Sequence, residues 1–266
     1  MNTVLYFKEL KRNRKNAAIW GAIVLGFTLL ILSIYPSFAD MGKDITQLMQ
    51  NLPPEFAKAF GMDENTWSSI IGFYTTYYGI YITLLMGIFT ASTGATILGK
   101  EERDGTAEFL LTRPMTRSTV ATTKLWVLAT LLLGLFAIQT SVAAAAMFII
   151  ADQLAWSQFA VLQLHGLFLV GFFTSVGVAL GAFLPVKTNF MGPVVGLIFG
   201  TYFLNAIGQA ADLPAVAYLS PYHYLELTLT NGEIAFSPWA CLAFFVASLL
   251  LVWIAHRRYL ARDILG

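Results

Sequence analysis

Six stretches of this sequence stay apolar over roughly the 17–25 residues, or more, that a helix needs to cross a hydrocarbon core. They are residues 16–35, 70–99, 120–150, 159–184, 190–208 and 238–255. Backbone polar groups left unpaired in lipid are too costly, and the alternation of a membrane barrel is absent, so all six read as helices. The second and third are longer than a bilayer requires and are expected to tilt or to project beyond it. Hydrophobic residues make up 57% of the chain and charged residues 12%, against roughly 45–50% and 25% in a soluble domain. The expected fold is therefore all-α: a polytopic membrane protein with six transmembrane helices, forming one transmembrane domain over residues 1–266.

Lysine and arginine set the orientation. The N-terminal tail carries Lys8, Lys11, Arg12, Arg14 and Lys15, and the loop after the second span carries Lys100, Arg103, Arg113, Arg117 and Lys124. Lys187 follows the fourth span, and Arg257, Arg258 and Arg262 follow the sixth. Only Lys43 and Lys58 fall on the other side, so both termini are expected in the cytoplasm, with the protein multi-pass in the plasma membrane. A basic start, an apolar run and Ser37-Phe38-Ala39 imitate a secretory leader. The run of about 19 residues exceeds the usual 7–15, so it is read as a span. A net charge of +1 leaves no basic face for nucleic acid. The single cysteine, Cys241, permits no intramolecular disulfide and reads as a small core residue.

Between the spans the sequence suggests ordered pieces. Residues 1–15 place Val4, Tyr6, Phe7 and Leu10 on one broad side, as in a helix lying in the inner membrane interface. In the first outer loop, residues 36–69, Leu48, Leu52, Phe56 and Phe60 recur at helical spacing around Pro53-Pro54, suggesting two short surface helices. The last outer loop, 209–237, has a re-entrant look, with helical pieces expected over 213–219 and 222–229 around Pro221.

A block of charge between the second and third spans has internal order. Gly105 ends the preceding helix and Thr106 can cap another. Phe109, Leu110 and Leu111 then alternate with polar positions until Pro114 stops the run. A short amphipathic helix outside the membrane, here 100–118, is a device for touching a cytosolic partner. Enzyme chemistry, by contrast, has no foothold. Gly94 to Lys100 has the spacing of a phosphate-binding loop, but Glu101 stands where a magnesium-holding Ser or Thr belongs, and the stretch ends a membrane span. His165, His223 and His256 lie in different segments, and His165 with Gln163 reads as an interfacial polar pair at a span end. No acidic residue sits in the middle of a span, Glu226 being the nearest exception, which argues against an ion-coupled carrier.

Two further patterns bear on packing. Gly192, Gly196 and Gly200, like Gly177 and Gly181, allow close helix approach, either within the subunit or, for the fifth span, against a second subunit. Tyr74, Tyr78 and Tyr81 form one face of the second span with Tyr77 beside it. Tyr74 suits an outer aromatic belt, whereas Tyr78 and Tyr81 lie deeper and are candidates for a pathway wall, joined by Asn205 and Gln209 near the outer end of the fifth span.

The order of parts resembles the permease subunits of ABC type-2 exporters. The resemblance rests on Glu101, Gly105, Thr106, Glu108, Leu110-Leu111, Pro114, Thr116, Arg117 and Lys124 in the charged block, and on Ser220-Pro221-Tyr222-His223-Tyr224 before the last span. It implies two facing permeases, this chain with a second copy or a related permease, and cytosolic ABC ATPase subunits that bind the ATP and magnesium. The chain itself would carry no cofactor and no ATPase. Glu101, Gly105, Thr106, Glu108, Phe109, Leu110, Leu111, Arg113, Pro114 and Arg117 would form the coupling element, with Arg117 and Lys124 held at lipid phosphates. Aromatic, uncharged spans favour an amphipathic or lipid-like cargo such as a peptide antibiotic or drug. The alternative is a six-span membrane scaffold or enzyme whose loop binds another cytosolic protein.

Overall fold

The computed structural model describes residues 2–40, 69–105, 115–151, 154–229 and 233–262. Six of its helices are long and apolar enough to cross a membrane. Span one is Thr3–Asp40, span two Ile70–Ile97, span three Arg117–Ile150, span four Trp156–Phe183, span five Met191–Ala210 and span six Pro238–Ala261. The surface loop expected over 36–69 falls mostly outside the described residues, although span one itself runs to Asp40.

Span two is the centre of the bundle. Some 72% of its most apolar stretch is buried in protein, against 11% in span six. Lipid tails are as apolar as leucine, so burial of this kind reflects close packing rather than escape from solvent. Its sequence permits that packing. A methyl group at Gly177 or Gly181 of span four would come within 2.1 Å of the carbonyl oxygens of Ala91 and Ala95. The backbones of spans two and four therefore touch where the small residues face each other. The hydroxyls of Thr83, Thr90 and Thr93 donate to carbonyls one turn back, so span two buries them without leaving a donor unpaired. Tyr78–Ile82 widens into a π-turn, in which the Thr83 amide reaches the Tyr78 carbonyl.

The other spans pack around this core. Span six lies along span four, where Phe172 meets Phe244 edge-on with ring centroids 5.1 Å apart. Span one lies along span three and stacks Trp20 on Phe89 of span two. The interfacial helix expected over 1–15 is not set apart from span one. No glycine or proline occurs before Gly21 to break the helix, and its first turns are fastened to span three by Asn2 N–H donating to Thr123 Oγ1 and by Tyr6 paired with Thr130.

Between spans five and six the chain forms two single-turn helices, Pro214–Ala217 and Pro221–Tyr224, each opened by proline at its first position. The helical piece expected over 222–229 ends at Tyr224, because Leu225 turns extended. Ser220 caps the second turn and also donates its hydroxyl to the Thr201 carbonyl of span five. Tyr222 is buried between Phe173 of span four and Tyr202 of span five.

Candidate functional site

The charged ends of the spans meet at the four-residue helix Lys100–Arg103, which follows span two directly. Successive helical residues point about 100° apart, so a single turn can address several neighbours at once. Glu101 turns inward and accepts from Lys124 Nζ of span three, with Arg12 of span one 3.7 Å away. Glu102 faces Arg262 beyond span six at 3.7 Å. The Arg103 guanidinium donates to the Val186 carbonyl at 3.0 Å and lies over the Phe190 ring, reaching the connection between spans four and five. Asp104 then pairs with Arg12, which also stands 3.6 Å from Glu9. Burial first, and the Arg12 guanidinium second, hold the Lys100 ammonium below its ordinary value, although Glu9 and Asp104 pull the other way.

Lys124 is the keystone of this junction. Its side chain is 0% exposed, and Nζ also donates to the Ile97 carbonyl at 2.7 Å. That carbonyl belongs to the last turn of span two, where acceptors lack helical partners and a cation is favoured. Arg117 donates to the Arg262 carbonyl at 3.0 Å, tying the start of span three to the end of span six. The expectation that Lys124 reaches lipid phosphates is therefore corrected, because it is enclosed by protein; Arg117 is half-buried and gives one of its donors to the Arg262 carbonyl. Glu101 likewise keeps its carboxylate inside the bundle, 8% exposed.

Gly105 follows at φ +68°, a left-handed conformation that suits glycine and turns the chain out of the junction. Thr106, Glu108, Phe109, Leu110, Leu111, Arg113 and Pro114 lie outside the described residues. The chain resumes at Met115, and Thr116 caps span three by accepting from the Thr119 amide.

The remaining candidates divide into buried and exposed groups. Tyr78 is fully buried inside the subunit, its hydroxyl donating to Gln163 Oε1 at 2.9 Å, so it faces no open surface. It lies there because residue 166 is glycine: a methyl group at that position would come within 2.1 Å of the Tyr78 hydroxyl. Tyr74 is held in the same way, by Gln139 Nε2 donating to its oxygen at 2.6 Å. His165 and Gln163, expected at the membrane interface, are enclosed by protein as well. Tyr81 does reach the surface, at 41% exposed, stacked against Phe27 and Tyr77. Gln209 is exposed and Asn205 half-buried, with Asn205 Oδ1 unpartnered among the described residues.

The glycines of span five show the sharpest contrast with those of span four. Built methyl groups at Gly192, Gly196 and Gly200 meet nothing within 4 Å, so these residues pack against no described part of the subunit. Phe199, Phe203, Leu204 and Ile207 are exposed on the same helix.

Sequence reasoning missed Glu9, Arg12, Arg103 and Arg262 as members of the junction. A signal existed for the first two. Glu9 is the one acid in a run of lysines and arginines, and Arg12 stands one helical turn after it, the spacing at which opposite charges pair. Arg103 and Arg262 gave no such signal, because their partners are backbone carbonyls and distant side chains.

A bundle of six apolar helices with a hydrogen-bonded charged junction at one end defines a polytopic membrane protein. The chain matches the family model of the ABC-2 family transporter proteins over residues 3–264 and belongs to that family. It is a permease component of an ABC transporter, the transmembrane part that works with a partner ATPase. Among curated proteins there is no sequence match to it.

Proposed function

We propose that this chain, paired with a second copy of itself, forms the membrane pathway of an ATP-driven exporter for an amphipathic or lipid-like cargo. Residues 106–114 receive the push of the ATPase subunit in the cytosol, where both termini also lie. The observation that carries the reading is the junction at Lys100–Arg103. The turn immediately before residues 106–114 is bonded to spans one and three, to the end of span six and to the connection between spans four and five. Force applied to residues 106–114 would enter the bundle there, and the Lys124–Glu101 contact would pass it to spans two and three together.

The exposed glycine face of span five supports the pairing, since close approach of a second helix is what such a face permits. The pathway then runs between the subunits along span five, with Tyr81 of span two, Asn205 and Gln209 on its margin. Charge reversal tests the coupling. Glu108→Lys should abolish cargo-stimulated ATP hydrolysis by the reconstituted complex while the permease still folds, because a loop charge contributes little to stability. Unchanged stimulation and transport in that variant would refute the coupling assignment.

A further inference from the structure

The connection between spans five and six is hydrogen-bonded to span four through His165. His165 is completely buried on span four. Its Nδ1 lies 2.8 Å from the Glu226 carbonyl oxygen, and its Nε2 lies 3.4 Å from the amide nitrogen of Ser237, which opens span six. Phe236 stacks on the ring at 5.9 Å with the two planes 17° apart.

The chemistry of the partners fixes the imidazole. A carbonyl oxygen can only accept, so Nδ1 carries the proton, and a backbone amide can only donate, so Nε2 is bare. Both nitrogens are thus used by backbone groups, and neither is free for proton relay. The two groups belong to points well separated in the chain, one at the end of the connection's folded part and the other at the start of a span.

We propose that His165 is a positioning residue: it pins the Glu226 carbonyl and the Ser237 amide to span four, so that the connection and the start of span six stay seated as one unit. The connection has other anchors: Ser220 bonds to Thr201 of span five, Tyr222 packs between Tyr202 of span five and Phe173 of span four, and Leu227 lies against Gly79 of span two. His165 adds the hydrogen-bonded tie that keeps the Glu226 carbonyl with span four when span five moves. This last consequence rests on the exporter reading; the pinning itself does not.

The test is amide hydrogen exchange of the full chain in lipid nanodiscs. In His165→Ala, peptides covering 225–229 and 237–241 should exchange about tenfold faster than in the unmodified protein, the loss expected for two buried hydrogen bonds. Peptides covering 170–183 should be unchanged. His165→Gln offers one donor and one acceptor from a side chain of similar reach, and should restore most of the protection. Unchanged exchange in His165→Ala, or equal acceleration in both variants, overturns the proposal. A second measurement requires no destabilised variant. Histidine-selective nitrogen NMR of the unmodified chain, with His165 assigned by the signal lost in His165→Gln, should show a neutral ring protonated at Nδ1. A ring protonated at Nε2, or at both nitrogens, overturns it equally.

Discussion

Removing Lys124 should cost the permease a few kcal/mol, and removing Glu101 more. In Lys124→Met the Glu101 carboxylate, about one-tenth exposed, loses its closest cation, and the Ile97 carbonyl loses a donor. Breaking a buried pair costs about 3–5 kcal/mol. Arg12 remains 3.7 Å away, where an ion pair would gain about 4 kcal/mol near a protein surface. That attraction must be discounted steeply, because the Arg12 side chain is 33% exposed and is already shared with Asp104 and Glu9. The net loss expected for Lys124→Met is about 2–3 kcal/mol. Glu101→Leu leaves a fully enclosed ammonium with the Ile97 carbonyl as its one acceptor among the described residues, and should reach the top of the range, about 4–5 kcal/mol. The double variant Glu101→Leu/Lys124→Met buries two apolar side chains in place of the pair and should return to within about 1 kcal/mol of the unmodified protein. Unfolding free energies measured by steric trapping in bicelles would give the full cycle. Single costs that simply add in the double variant would refute the buried pair. The double variant also separates two roles, since a permease that regains stability but not ATPase stimulation would show that the ionic link itself carries the coupling.

Packing supplies two further predictions. Gly181→Val should destabilise the subunit by about 3 kcal/mol or more, because its Cβ would sit 2.1 Å from the Ala95 carbonyl oxygen of span two; normal stability in a thermal unfolding assay would contradict that contact. Gly196→Leu should leave the isolated subunit as stable as before, since no described residue lies within 4 Å of a Cβ at that position, yet weaken pairing. Single cysteines placed along span five, in a Cys241→Ala background, should cross-link between copies at helical intervals, and no cross-link at any position in an intact complex would sink the interface.

The sequence alone determined the class of fold. Length and apolarity of six segments leave helices as the available way to satisfy the backbone in lipid, and that argument needs no knowledge of which helix touches which. It also singled out the charged block after span two, because charges beside a span stand out against an apolar chain. Lys124 shows where this kind of reading ends. A lysine near a span end is ordinarily drawn to lipid headgroups, and only the packing of spans two and three places Glu101 and the Ile97 carbonyl around it. The glycine patterns make the same point. Gly177-Gly181 and Gly192-Gly196-Gly200 share one spacing, yet the first pair is packed against span two and the second set against no described residue. Spacing along one helix says that a close approach is possible; which helix arrives is decided by the other five. Tyr78 and His165 were ambiguous for the same reason. A polar group in a span must find a partner, but the partners here, Gln163 for one and two backbone groups of a distant connection for the other, come together only when the bundle closes.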